Sequence, residues 1–207
     1  MPQSDSVYRY FLIYKPFGTL SQFSREGNRP TLADLGFTFP KDVYPVGRLD
    51  ADSEGLLLLT NDNFLNHHLL NPRFRHQRTY YVQVDGQVNS DACQALNRGV
   101  LIQIDGKPHH TLPAQAQILV EFPTLPERNP PVRFRKNIPT SWLSVALHEG
   151  KNRQVRRMTA AVGFPTLRLV RWAIESVLLD NMQPAEVREV EKEWLYQKLK
   201  IRPSQQF

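Results

Sequence analysis

The stretch Val46-Gly47-Arg48-Leu49-Asp50-Ala51-Asp52-Ser53-Glu54-Gly55-Leu56-Leu57-Leu58-Leu59-Thr60-Asn61-Asp62 decides how the chain is read. A loop opened by glycine carries one arginine and three acids, then runs into four consecutive leucines. Those leucines form an apolar strand that must be buried. The acids just before it are therefore held at the edge of a core, where loop side chains on a rigid support are well placed for chemistry.

Outward from this segment, apolar or alternating runs predict strands at 8–14, 56–60, 80–84, 100–104 and 116–122. Asp62 is placed to cap a helix that runs to Leu70 and stops at Asn71-Pro72, and Ser90 to cap another that ends at Gly99. Five prolines between Pro123 and Pro139 read as an extended loop. Beyond it come a strand over 142–148, a basic helix, strands at 167–173 and 176–179, and a charged helix over about 186–200. Strands and helices do not alternate as a doubly wound parallel sheet requires. The expected fold is α+β, a mainly antiparallel mixed sheet flanked by helices. It forms one catalytic domain over 1–207, with two lobes dividing near 123–139.

Composition narrows the function. Of 207 residues, 41% are hydrophobic and 22% charged, ordinary globular values that exclude a disordered or fibrous chain. The longest apolar run, Leu56 to Leu59, is far below the roughly 20 residues of a membrane span. No secretory signal opens the chain, and Cys93 is its single cysteine. A cytoplasmic, reducing environment is expected. The net charge of +6 is uneven: residues 128–171 hold ten basic residues and one acid, Glu149, leaving the rest of the chain net negative. Such asymmetry is the footprint of a polyanion partner.

The three acids admit several readings. Asp50, Asp52, Glu54 and Gly55 match the first half of a calcium-binding loop, but the position that needs a bidentate Glu is Asn61, and four leucines fill the ligand positions between. A glycosidase-like carboxylate pair and a capped turn remain open. The six histidines show no metal-ligand spacing and read as surface residues; no metal is expected.

The second informative segment is Glu149-Gly150-Lys151-Asn152-Arg153-Gln154-Val155-Arg156-Arg157-Met158-Thr159-Ala160-Ala161-Val162-Gly163. At helical spacing Val155, Met158, Thr159 and Val162 share one face, and Arg153, Arg156 and Arg157 lie opposite. Asn152 is the expected N-cap and Gly163 the C-cap. Arginines at a helix start oppose the helix dipole, so an anion, either phosphate or a carboxylate such as Asp50, is expected beside them.

Taken together, Gly47-Arg48-Leu49-Asp50 with Gly55-Leu56-Leu57, and Glu149 to Met158, resemble the signatures of the pseudouridine synthases of the RsuA group. Tyr14-Lys15-Pro16-Phe17-Gly18 is similar to that family's Lys-Pro-x-Gly element, and Arg78-Thr79-Tyr80-Tyr81-Val82 to its tyrosine-bearing strand. Arg128-Asn129-Pro130-Pro131 and Ile138 to Leu143 look most like the branch that modifies 23S rather than 16S ribosomal RNA. The small N-terminal RNA-binding domain of many relatives is not expected here.

The resemblance implies isomerisation of uridine to pseudouridine without a cofactor. It implies Asp50 as the catalytic carboxylate, either adding to the sugar or removing its proton; Tyr80 against the uracil; and Arg156 as the basic partner of Asp50. It further implies that Arg48 enters the space left by the flipped nucleotide. Lys15, Arg153 and Arg157 are the expected phosphate contacts, and the 128–136 loop a further recognition element. A monomer is expected. The competing class is a noncatalytic rRNA-binding or ribosome-assembly protein, which has no reason to keep Asp50, Tyr80 and Arg156 together. A nuclease using Asp50, Asp52 and Glu54 would instead depend on a metal.

Overall fold

The computed structural model describes residues 8–132 and 138–202, so Arg133, Arg135 and Lys136 of the basic segment lie outside the described residues. In chain order the elements are β1 (Tyr10–Lys15), β2 (Tyr44–Pro45), β3 (Glu54–Thr60), α1 (Asn63–Leu70), β4 (Arg78–Asp85), α2 (Ser90–Arg98), β5 (Leu101–Ile104) and β6 (Lys107–His110). Then follow β7 (Gln115–Leu119), β8 (Thr140–Leu147), α3 (Gln154–Ala161), β9 (Thr166–Ile174), β10 (Val177–Leu178), β11 (Val187–Val190) and α4 (Lys192–Lys198). One sheet runs β11-β1-β3-β9-β4-β8-β7, with β10 on β9 and β2 on β3; β5 and β6 form a separate hairpin. All pairings are antiparallel except β3 with β9. This is the mixed α+β sheet expected.

Every residue of β3 is buried. Leu56 and Leu58 pack toward α1 and α4 with Tyr10, Leu12, Leu65 and Leu195, while Leu57 and Leu59 pack on the other face with Phe11, Ile13, Leu32 and Val43. Each of the four leucines is fully buried, worth about 1.5–3 kcal/mol apiece. A second core under α2 and α3 gathers Val82, Val84, Leu96, Leu143, Val145 and Met158 from the β4–β8–β7 half. The proline-rich segment does not separate these halves. It joins β7 to β8, which are paired neighbours within one half.

The two halves meet at a short parallel seam, Glu54↔Val170 and Gly55↔Arg171. The chains approach so closely there that a Cβ on Gly55 would stand 2.7 Å from the Arg171 nitrogen and nearer still to its carbonyl oxygen. Only glycine fits. Past Gly55 the strands part, and the edge of β3 is taken by β2 and by Val46, whose N–H donates to the Leu58 carbonyl (2.7 Å). The acidic loop therefore leaves the sheet at the point where it splits.

The predicted final helix is shorter than expected. Its first part, Val187–Val190, is strand β11, because the outer edge of β1 needs a partner and the bidentate Arg9–Glu189 pair (2.6 and 2.7 Å) fixes the register. Strand β6 had no hydrophobic signal; it follows from the turn Asp105-Gly106, both at positive φ, which folds Lys107–His110 back on β5. Asp62 caps α1 as expected, accepting from the Phe64 and Leu65 N–H groups, whereas the cap of α2 is Asn89 rather than Ser90. No helix among the described residues is long and apolar enough to cross a membrane.

Candidate active site

A cleft of about 490 Å³ opens where the sheet splits, lined by the acidic loop, by Tyr80 of β4, Leu169 and Arg171 of β9, and by the Glu149–Val155 stretch entering α3. Its size suits a nucleoside. A larger cavity, about 930 Å³, lies across the Gly47–Arg48 turn and contains none of the loop's carboxylates.

The loop is held from behind. Ser21 Oγ donates to the Leu49 carbonyl (2.8 Å) and accepts from its N–H (3.0 Å), Gly18 N–H donates to the Ala51 carbonyl (2.7 Å), and Ser53 N–H closes a turn on the Asp50 carbonyl (3.0 Å). Lys15 explains the conformation of residues 16–21. Read as a phosphate contact, it is instead fully buried, and Nζ donates to the carbonyls of Pro16 (3.0 Å) and Thr19 (2.7 Å). Burial lowers its pKa to about 7, against the opposing pull of Glu54, Asp52 and Asp50.

The three acids do not converge. Glu54 points into the core, where Arg168 grips both of its oxygens at 2.9 Å. Asp52 is bidentate with Arg153 (2.9 and 2.7 Å) and 3.5 Å from Arg156 Nε. Burial raises the Asp52 pKa, but the Arg153 bond and the charge of Arg156 more than offset it, so the carboxyl lies below its usual value. Asp50 is left 40% exposed, with Arg153 Nη1 3.6 Å away. Among the described residues no three His, Cys, Asp or Glu side chains group to hold a metal ion.

Helix α3 faces the loop through its arginines. Its N-cap is Arg153, not Asn152, in a left-handed conformation (φ 51°) with no side-chain cap. The helix start is fixed by the buried Gln154, which donates to Glu149 Oε1 (2.5 Å) and accepts from Lys151 N–H (2.9 Å). Val155, Met158 and Thr159 are buried as expected, and the C-cap is Val162 rather than Gly163. Arg156 reaches the Asp52 backbone carbonyl (2.6 Å) and the Thr166 carbonyl (3.5 Å), so its direct partner is Asp52 and not Asp50. Arg157 bonds the Gln103 carbonyl of β5, and Arg48 is exposed on the wall shared by the two cavities.

Strand alternation separates the two tyrosines. Tyr80 lines the cleft, while Tyr81 stacks on Trp172 (4.8 Å between centroids, 21°) away from it. Tyr80 stands opposite Arg171 across β4 and β9. Arg171 is a site residue that the sequence motifs do not single out. Its Nε donates to the Leu56 carbonyl (2.6 Å), the acceptor left free where β9 parts from β3, and its buried Nη2 has no hydrogen-bond partner. Burial lowers its pKa. One signal was available: an arginine inside Leu169-Val170-Arg171-Trp172-Ala173, a run otherwise apolar.

The histidines are not uniformly at the surface. His76 is buried, 2.8 Å from His68 and 3.4 Å from Glu175, and burial lowers its pKa despite Glu175. It lines one end of the cleft.

Residues 9–161 match the family model described as RNA pseudouridylate synthase. The ribosomal large subunit pseudouridine synthase E of Vibrio parahaemolyticus is 49% identical over 92% of this chain and 77% of its own length. The protein of that name from Xanthomonas axonopodis is 53% identical over 84% of this chain and 89% of its own. A crystal structure of a pseudouridylate synthase superposes with a TM-score of 0.75 at 28% identity, covering 93% of this chain and 74% of that one. On the model match across most of its length and relatives about half identical, the chain belongs to the RNA pseudouridylate synthase family.

Proposed function

We propose that this protein isomerises one uridine of 23S ribosomal RNA to pseudouridine, with Asp50 as the carboxylate that acts on the sugar. The reaction breaks the glycosidic bond, turns the uracil and joins the sugar carbon to a ring carbon, so atoms balance without a cofactor. The observation that carries the reading is the unequal use of the loop's acids. Glu54 and Asp52 each take two hydrogen bonds from an arginine, whereas Asp50 lines the cleft with its nearest guanidinium nitrogen, Arg153 Nη1, 3.6 Å away. An ionised carboxylate can add to the sugar or take a proton from it.

In this reading Tyr80 lies against the uracil, with Arg171 opposite it on β9. Arg156 acts through Asp52, fixing the loop that carries Asp50. Arg48 enters the stack as the nucleotide is extruded, a step that costs a few kcal/mol. Arg153 and Arg157 take phosphates at the start of α3. The choice of 23S RNA follows the relatives, which are named as large-subunit synthases. The protein acts as a monomer in the cytoplasm, as a single catalytic domain.

The test is incubation of the purified protein, with chelator and no cofactor, on unmodified 23S and 16S transcripts, mapping pseudouridines beside Asp50→Asn. One new pseudouridine in 23S RNA, lost in the variant, is the expected result. Modification of 16S instead overturns the substrate, and no product on either RNA or on ribosomal precursors moves the reading to a noncatalytic binder.

A further inference from the structure

The turn between α1 and β4 reads Asn71-Pro72-Arg73-Phe74-Arg75-His76, an aromatic residue between two arginines. Its ends, Asn71, Pro72 and His76, line the cleft, while Arg73, Phe74 and Arg75 are exposed just beyond them. Phe74 is 45% exposed. One face of its ring is stacked on His68 (3.7 Å between centroids, 12°), and His67 and His76 stand farther off at 6.4 and 6.5 Å, so much of the ring stays open to solvent. Neither Arg73 nor Arg75 forms an ion pair or a side-chain hydrogen bond among the described residues.

The turn is rigid. Residues 72–74 form one 3₁₀ turn with Pro72 at its start; Asn71 Oδ1 accepts from Arg73 N–H (3.0 Å), and Arg75 N–H donates to the Pro72 carbonyl (3.2 Å). Arg75 is left-handed (φ 50°), and its carbonyl lies 2.6 Å from His148 Nδ1. Arg78 ties both ends together, donating to the Leu69 (2.7 Å) and His76 (3.3 Å) carbonyls. A side chain that only filled space would not need this fixing, and a large aromatic held in water between two unpaired guanidiniums is the arrangement that binds single-stranded nucleic acid: a stacking face beside phosphate-neutralising cations.

We propose that this turn binds an unpaired nucleotide flanking the target uridine, its base stacked on the exposed ring of Phe74 and its phosphates against Arg73 and Arg75. The inference rests on the reading of the cleft as the uridine site. The turn is better suited to this role than Arg128, whose guanidinium packs over Phe17 (4.3 Å) and donates to the carbonyls of Pro130, Pro131 and Leu167. A preformed surface loses little freedom on binding.

The test measures Kd of a fluorescein-labelled oligouridylate, and separately KM on 23S transcript, for wild type, Phe74→Ala, Phe74→Leu, Phe74→Trp and the Arg73→Ala/Arg75→Ala pair. Phe74→Ala and Phe74→Leu are expected to bind roughly tenfold more weakly, with the larger part of the activity loss in KM, and Phe74→Trp to bind at least as well as wild type. The double arginine variant is expected to flatten the salt dependence by about 1.4, roughly 0.7 for each phosphate no longer neutralised. Oligouridylate binding by Phe74→Leu equal to wild type reduces the ring to packing and overturns the proposal, as does an unchanged salt slope in the arginine pair. The uridine reading fails separately: a wild type that makes no pseudouridine but whose oligouridylate binding depends on Phe74 sinks the catalytic assignment and leaves the RNA contact standing.

Discussion

Three residues apart on β9, Arg168 and Arg171 are both buried, and the regions around them differ in what they leave unsatisfied. Around Arg168 the chemistry is closed: Glu54 takes two bonds, the Pro126 carbonyl a third at 2.8 Å, and Tyr14 stands 3.5 Å away. Burial lowers the Arg168 pKa, but Glu54 more than offsets it and the guanidinium is held above its usual value. Around Arg171 there is a carbonyl and a tyrosine but no carboxylate, and one nitrogen has nothing to bond. An unpaired buried cation is costly to maintain. Arg171 lies on the wall of the cleft that Tyr80 and Asp50 also line.

The difference between the two arginines shows most clearly when activity and stability are measured together. The largest expected effect is on Asp50→Asn, which keeps shape and removes the ionised oxygen. Turnover should fall about 10³-fold or more, the scale of losing a nucleophile or acid–base group, with little change in melting temperature. Next comes Arg171→Met. Removing a preorganised cation from the cleft should cost on the order of 10²-fold in activity, comparable to the loss of one electrostatic donor. Its stability cost should stay small, because a strained charge disappears as the Leu56 carbonyl loses its partner. A melting temperature far below wild type for Arg171→Met would make it a structural arginine like its neighbour.

Arg168→Met should behave in the opposite way. It strands Glu54 as a buried charge, a change that typically costs 3–5 kcal/mol and here lowers the melting temperature on the order of 10 °C. Glu54→Gln/Arg168→Met, which removes both charges, should recover much of the loss. Activity per folded molecule is expected to change much less than in Arg171→Met. Equal activity losses in the two single variants would erase the distinction between the closed and the open region.

Much of this architecture was legible in the sequence, for reasons that differ by region. The leucines of β3 and the alternation of β8 carry their burial in their own order, and Asp62 signals its helix because a cap is a local interaction. What was hidden depends on distant partners. Strand β11 follows from the free edge of β1, and Lys15 turns inward because Thr19 folds back over it. Arg171 acquires its position only where β9 leaves β3. Lys15 also supplies the next prediction. With its pKa lowered from 10.5 to about 7, the unfolded chain binds more protons between those values, so this group makes stability rise with pH through that window. Lys15→Met should lose that slope in denaturant titrations at pH 7.5 and 9.5. It should also lose about 1–3 kcal/mol for the stranded carbonyls. A slope identical to wild type would mean that Lys15 stays charged in the fold.

The smallest effect should come from Asp52→Asn, and its size tests how the cleft's two walls are joined. Asp52 is the hinge between them: its carboxylate holds Arg153 and its carbonyl holds Arg156. The first bond is partly exposed, with side chains 37% and 41% accessible, so solvent screens it and its worth is about 0.2–1 kcal/mol. The second is a backbone contact that survives the substitution. Because the Asp52 pKa is depressed in the fold, its contribution is present above the unfolded value near 3.8 and is lost as pH falls through the folded value below it. At neutral pH, then, Asp52→Asn should destabilise by less than about 1 kcal/mol, and the difference should shrink as salt is raised. Activity should drop only several-fold, as Arg153 is released toward Asp50. A loss as deep as that of Asp50→Asn would move the chemistry two residues along the loop, and with it the argument that the unsatisfied carboxylate is the one that reacts.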